Sequence, residues 1–193
     1  MNLEHLNVKI FVKNPESIGD GTEFVQMFHE WIQGNVCQEL MIDVADYSHV
    51  PAGPGVMLIG HEANYSIDFG EEEKPGLLYN RKGKLAGDNV SRIQHVLGQA
   101  VLACKRIQEH KSHSKVVFDP STVIFTVNDR MLAPNSQATF DSVKKDFESA
   151  MGSLQGIELS LLSKEPRERF AVKATSKAGT LADLSSVAGV AAR

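Results

Sequence analysis

Residues 38–82 read QELMIDVADYSHVPAGPGVMLIGHEANYSIDFGEEEKPGLLYNRK, and this stretch decides the fold. Three apolar runs within it, at residues 40–44, 56–59 and 77–79, have the length and composition of strands. Segments rich in proline, glycine and acidic residues separate the runs, and such segments predict turns. The stretch therefore predicts the inner strands of a β-sheet.

The flanking sequence extends this sheet and adds helices. Residues 8–12 alternate in polarity, as a strand with one inward face does. Apolar residues recur at helical spacing over residues 22–33, 91–110 and 136–154, which predicts three helices. Further strands are predicted at residues 76–82, 116–118, 122–128, 157–162 and 170–174.

These elements predict an α+β fold with a mixed, largely antiparallel sheet of about six to eight strands and three main helices packed on it. The order strand, helix, strand occurs at residues 8–44 and again at 122–162. Either the sheet has two similar β-α-β halves, or this is the ordinary way to build such a sheet. Residues 1–174 are predicted to form a single domain. Residues 175–193 lack aromatic side chains, which predicts a loosely attached C-terminal tail.

Composition excludes several classes of protein. The 193 residues are 42% hydrophobic and 23% charged, as in ordinary globular domains, and the net charge of −4 disfavours a nucleic-acid-binding role. Apolar runs fall short of the roughly 20 residues that cross a bilayer, and the first 14 residues lack the pattern of a signal peptide. The two cysteines are too few for a disulfide scaffold. We therefore expect a cytoplasmic protein with reduced thiols and no membrane association.

Most of the polar residues that are able to take part in catalysis or ligand binding lie within residues 38–82. Strand ends and the loops beyond them commonly hold ligands, and Asp46, Tyr47 and His49 follow a predicted strand. His61 is predicted to lie on the apolar face of a strand over residues 56–68, where burial tunes an imidazole for acid–base chemistry. The candidate set is Asp43, Asp46, Tyr47, His49, His61, Glu62, Tyr65 and Arg81.

Roles follow from side-chain chemistry. His61 is the candidate acid or base, with Asp46 and Tyr47 assisting it, which makes these three the candidate catalytic residues. Arg81 and Arg130 follow strands, and their guanidinium groups suit a small anionic ligand. The predicted ligand contacts are His49, Tyr65, Arg81 and Arg130.

No cofactor and no metal site are predicted. His61 begins the sequence HEANY, in which Tyr65 stands where a zinc protease motif has its second histidine. The chain contains neither the phosphate-binding loop pattern GxxxxGK[ST] nor the dinucleotide-binding pattern GxGxxG. No serine lies in a G-x-S-x-G sequence, and Cys104 lies on the apolar side of a predicted helix.

Residues 28–33, 42–65, 76–82 and 128–135 resemble a conserved-hypothetical family of bacterial proteins with no established activity. The resemblance covers about residues 6–174 and implies a soluble bacterial protein. It assigns no catalytic residues.

Two hypotheses for the function stay open. The first is a non-catalytic α+β module that binds a small ligand or associates with itself as a homo-oligomer. The second is an enzyme that acts on a small anionic substrate, with His61 as its acid or base. A metal-dependent enzyme is a weaker third alternative.

Overall fold

Eight strands form one sheet, and four helices pack on it, in the computed structural model of the protein, which describes residues 1–70 and 74–188. The strands are β1 (Leu6–Val12), β2 (Met41–Tyr47), β3 (Gly55–Gly60), β4 (Ala63–Asp68), β5 (Gly76–Arg81), β6 (Phe118–Val127), β7 (Glu158–Leu161) and β8 (Ala171–Thr175). The helices are α1 (Phe24–Gln33), α2 (Asn89–Glu109), α3 (Gln137–Met151) and α4 (Leu181–Val187). The predicted α+β class is confirmed.

The strand order is β2-β3-β4-β5-β1-β6-β8-β7, and every neighbouring pair is antiparallel. β1 and β6 lie side by side in the interior of the sheet, while β2 and β7 form its edges. Each predicted β-α-β unit therefore runs from a central strand, through a helix, to an edge strand. Whether the two units arose by duplication stays a prediction.

Alternation along the strands gives the sheet two different faces. In β1, Leu6, Val8, Ile10 and Val12 join the large core that contains the helical side chains. The intervening Asn7, Lys9 and Phe11 point to the opposite face, because successive side chains of a strand alternate. A small second cluster of Phe11, Ile124, Ala171 and Leu162 lies there, and it contains no helical residue. We call this side the open face.

Side-chain caps explain where two of the helices begin. Asp88 Oδ1 accepts a hydrogen bond from the Ser91 amide at 2.8 Å before α2, and Ser136 Oγ accepts one from the Thr139 amide at 3.2 Å before α3. These bonds satisfy amides that have no partner within the helix. The first helix is predicted to begin at residue 22 but begins only at Phe24, and the Asp20 carboxylate accepts a hydrogen bond from the Thr22 amide instead of capping it.

The strand predicted over residues 56–68 is two strands joined by a hairpin turn at His61 and Glu62. Ile59 pairs with Asn64, so the odd-numbered side chains of β3 share a face with the even-numbered side chains of β4. Gly60 allows the close approach, since a Cβ there would lie 2.5 Å from the Ala63 carbonyl oxygen. The prediction that His61 lies on an apolar strand face is wrong: His61 is exposed in the turn.

The C-terminal segment is packed rather than loosely attached as far as it is described. Thr180 caps α4 by a reciprocal pair of hydrogen bonds with Asp183. Leu184 and Val187 then enter the main core against α2 and β6. Residues 189–193 of the predicted tail, and residues 71–73 of a predicted acidic turn, lie outside the described residues. No helix in the described part of the chain is long and apolar enough to cross a membrane.

Candidate functional site

The residues predicted to form one site lie at the two ends of the sheet. At one end, Asp46 pairs with Val56 and Tyr47 with Gly55. At the other end, Arg81 pairs with Ala63, directly after the turn that carries His61. The seven-residue strand β2 spans about 20 Å between these ends. These side chains do not lie at one rim of the sheet, because β3 carries the chain away from Asp46 before it turns at His61.

Asp46, Tyr47 and His49 form an exposed group after β2. Asp46 Oδ1 accepts a hydrogen bond from the Ser48 amide at 2.9 Å, and bonds from the Ser48 hydroxyl and amide lower the pKa of Asp46. Tyr47 is 41% exposed, and its ring centroid lies 6.4 Å from that of His49. Asp43 is exposed on the same edge strand. Catalytic and binding roles for these residues, and for His61, stay predictions.

Tyr65 and Arg81 belong to a buried network around the carboxylate of Glu39, on the helix-covered face. Tyr65 donates to Glu39 Oε2 at 2.9 Å, and Tyr79 donates to Oε1 at 2.6 Å. The Arg81 Nη1 atom lies 3.7 Å from Glu39 Oε1, while Nη2 donates to Glu62 Oε2 at 2.9 Å. Arg81 Nε donates to the Gly83 carbonyl at 2.9 Å. The polar atoms of Tyr65 and Arg81 are thus bonded to other residues of the protein.

The phenols of this network stay protonated. Burial raises the pKa of both Tyr65 and Tyr79 above the ordinary range, and the nearby Glu39 carboxylate raises them further. His95 on α2 lies close by, and burial together with Arg81 lowers its pKa. Proton transfer from these tyrosines at neutral pH is therefore disfavoured, which indicates a structural role.

A cavity of about 370 Å³ lies on the open face of the sheet. Its floor comes from four neighbouring strands, and two loops and Arg169 complete its walls. The Phe69 amide donates to the Gly53 carbonyl at 3.1 Å and holds these two loops together. The lining residues are Asn7, Ala52, Gly53, Pro54, Asp68, Gly70, Leu78, Thr126 and Arg169. We call this cavity the sheet groove.

A second cavity of about 340 Å³ adjoins the sheet groove and shares Thr126 and Arg169 with it. Arg130, which the sequence suggested as a ligand contact, lines this second cavity together with Arg167. We call it the arginine cavity. Arg130 therefore lies beside the sheet groove on the open face of the sheet.

Asn7 supplies an unusual feature of the sheet groove. The residue is 2% exposed, and its Oδ1 atom is buried without a hydrogen-bond partner. A buried amide oxygen without a partner costs roughly 1–3 kcal/mol, and such groups are rare in folded proteins. A donor on a bound molecule would satisfy this oxygen.

A buried ion pair stands beside Asn7. Lys9 Nζ lies 2.7 Å from Asp68 Oδ2, and the side chains are 1% and 10% exposed. Asp68 Oδ2 also accepts from the Gly70 amide at 3.1 Å, which anchors the loop at the groove wall. Lys9 lies 5.3 Å from the centroid of the Phe11 ring. Because the Asp68 carboxylate has several partners, this ion pair makes the floor of the sheet groove rigid and polar.

The chain matches no family model, no curated protein and no solved structure. Function is therefore inferred from the groove itself, and the resemblance to bacterial proteins stays a prediction. Among residues 1–70 and 74–188, no three side chains of His, Cys, Asp or Glu are placed to hold a metal ion. Cys37 and Cys104 are both free, and burial raises the pKa of Cys37 to about 12.

None of the nine lining residues of the groove belongs to the candidate set from the sequence, and the four with polar side chains are Asn7, Asp68, Thr126 and Arg169. The sequence holds a signal for Asn7, because Asn7 and Lys9 alternate with apolar residues in β1, which is a central strand of the sheet. Alternation of this kind normally indicates a solvated face. Only the loops that lie over the sheet reveal that this face is buried.

Proposed function

We propose that the protein binds a small anionic molecule in the sheet groove. The observation that carries this proposal is the Asn7 Oδ1 atom, which lies buried and without a hydrogen-bond partner in a residue that lines the cavity. A ligand that donates a hydrogen bond to this oxygen would remove the cost of leaving it unpaired.

Size and charge support the same proposal. The cavity volume of about 370 Å³ lies within the range of small-molecule sites. Arg169 lines one side with a guanidinium group, and Asp68, whose carboxylate pairs with Lys9, lines another, while Asn7 and Thr126 offer neutral polar groups. Leu78 adds an apolar surface on the floor between them. A few polar groups around an apolar patch fix the orientation of a ligand.

Thermal shifts with a panel of small anionic compounds test this proposal, because a ligand that binds the folded state raises its melting temperature. The panel holds carboxylates, sulfates and phosphate esters. The key variant is Asn7→Leu, which removes the unpaired amide and keeps a similar volume. We expect it to melt at a higher temperature than wild type without ligand, and to lose the ligand-induced shift.

Lys145→Gln is the control for a substitution outside the groove, because Lys145 is exposed on α3, away from the open face. It should keep the full shift. If no anion raises the melting temperature of wild type, or if Asn7→Leu retains the whole shift, the sheet groove is not the binding site.

Self-association is a second candidate function, favoured by the apolar edge of the sheet at β2. Leu40 and Ile42 are 67% and 59% exposed at this edge. Apolar side chains on an unpaired edge favour contact with a second copy of the chain. Light scattering on wild type and Ile42→Lys tests this: a dimer that the variant abolishes supports it, and a monomeric wild type contradicts it.

A further inference from the structure

The arginine cavity has a net positive lining. Arg130, Arg167 and Arg169 contribute three guanidinium groups, and Glu168 contributes one carboxylate. The formal charge of these four groups is +2, although the whole chain has a net charge of −4. The guanidinium groups of Arg130 and Arg167 form no ion pair with any residue in the described ranges 1–70 and 74–188.

Two separate segments are held together to form this cavity. Arg130 follows β6, whereas Arg167 and Arg169 lie between β7 and β8. Asn135 joins the segments, because its Nδ2 group donates to the Ser163 carbonyl at 3.1 Å and to the Glu165 carbonyl at 2.8 Å. Asn135 is only 6% exposed, so this bridge is shielded from water.

The arginine cavity and the sheet groove are parts of one continuous polar surface. Thr126 and Arg169 line both cavities, and Thr126 is 5% exposed. A molecule that extends past Thr126 would place one end beside Asn7 and Leu78 and its other end among the arginines.

We propose that the arginine cavity is a phosphoryl subsite, and that the ligand of the sheet groove is a phosphorylated small molecule. This inference rests on the proposed function, since the neutral part of the ligand occupies the sheet groove. A guanidinium group donates two parallel hydrogen bonds to two oxygens of a phosphoryl group. Three such groups, from two segments of the chain, line the cavity. Asn7 then accepts a hydrogen bond from a hydroxyl or amine on the neutral part.

Charge and size decide between this ligand and other anions. A phosphate monoester carries close to two negative charges at neutral pH, and Arg130 and Arg167 supply two guanidinium groups to pair with them. A monocarboxylate pairs with only one of these two groups. A nucleic acid is disfavoured, because the rest of the chain offers no positive field to a long polyanion.

Matched pairs of probes test the subsite by calorimetric titration and thermal shift. The pairs are ribose 5-phosphate with ribose and glycerol 3-phosphate with glycerol, and inorganic phosphate serves as the minimal probe. All titrations use equal ionic strength, because salt screens charge interactions. We expect the phosphorylated member of at least one pair to bind and stabilise wild type, while its parent alcohol does not.

The double variant Arg130→Gln with Arg167→Gln should weaken phosphate-ester binding at least about tenfold. Both side chains are exposed, so its melting temperature without ligand should stay close to that of wild type. Lys145→Gln removes a positive charge elsewhere and should bind as wild type does.

Three outcomes overturn the inference. If the double variant binds phosphate esters as tightly as wild type, the arginines do not form the subsite. If only carboxylates bind, and Asn7→Leu abolishes their binding, the phosphoryl subsite fails while the proposed function stands. If no phosphate, sulfate or carboxylate binds wild type, both the subsite and the proposed function fail.

Discussion

Lys9 Nζ lies 2.7 Å from Asp68 Oδ2, although the two residues are 59 positions apart in the sequence. They lie on β1 and β4, which are separated by β5 in the sheet. The pair therefore spans a strand on the open face and links the floor of the sheet groove to the loop at Gly70. Because it is buried, its effect on stability depends strongly on whether both partners are present.

Replacing one partner of this pair should destabilise the fold. Lys9→Met leaves the Asp68 carboxylate buried without this ammonium group, which should lower the free energy of unfolding by roughly 3 kcal/mol. The double variant Lys9→Met with Asp68→Leu should recover much of this loss, because it also removes the Asp68 carboxylate. Urea denaturation measures both. Equal losses in the single and double variants would contradict the coupling.

The hydrogen bond from Tyr79 to Glu39 should contribute measurably to stability. Tyr79→Phe removes a donor to a buried carboxylate and should lower the free energy of unfolding by about 1.5–3 kcal/mol. Tyr47→Phe is the control, because Tyr47 is 41% exposed, and it should change stability by less than about 0.5 kcal/mol. Similar values for the two variants in urea denaturation would exclude the network as a stabilising element.

His113 should make the stability of the fold depend on pH. His113 is 3% exposed, and its Nδ1 atom lies 3.2 Å from Nδ1 of His110, which in turn contacts Glu30 Oε2 through Nε2 at 3.0 Å. The His113 Nε2 atom is buried without a partner. Burial, and then the neighbouring His110, lower the pKa of His113, while Glu23 and Glu30 act in the opposite direction.

The sign follows from this lowered pKa. Below about pH 6.5 the unfolded chain binds a proton at His113, while the folded chain does so only at lower pH. Stability is therefore fully present above about pH 6.5 and is lost as the pH falls through the lowered value. Melting temperatures from about pH 8 to about pH 5 should fall less steeply in His113→Gln than in wild type. A wild-type slope in His113→Gln would contradict the assignment.

Helix α4 should behave as part of the core. Leu184 is fully buried, so Leu184→Ala should lower the free energy of unfolding by about 2–5 kcal/mol. Leu40→Ala is the control, because Leu40 is 67% exposed. A loss below about 0.5 kcal/mol for Leu184→Ala would mean that the segment is loosely attached after all.

Local patterns predict the elements of this fold better than their boundaries. The helices α1, α2 and α3 follow from apolar stripes, and β2, β3 and β5 follow from short apolar runs. The turn at His61 and Glu62 escapes prediction because neither residue is a strong turn former and Gly60 alone marks the break. Phe118 and Val123 belong to one strand, although Pro120 indicates a turn between them.

The candidate site was harder to predict than the fold, because it depends on contacts between distant parts of the chain. Asp46 and His61 are only 15 positions apart in the sequence but lie at opposite ends of β3. Asn7, Thr126 and Arg169 are far apart in the sequence, yet they line one cavity. Strand order brings them together, and no local period reveals strand order. Arg130 follows a strand, and this position does place it beside the open face.

The most direct test of the central claim, that the open face binds the ligand, is a map of amide chemical shifts. Labelled protein is titrated with the anionic compound that gives the largest thermal shift. The sheet groove predicts the largest changes at Asn7, Leu78 and Thr126, with little change at Asp46 or His61. Largest changes at Asp46 or His61, with the groove residues unmoved, would contradict the claim.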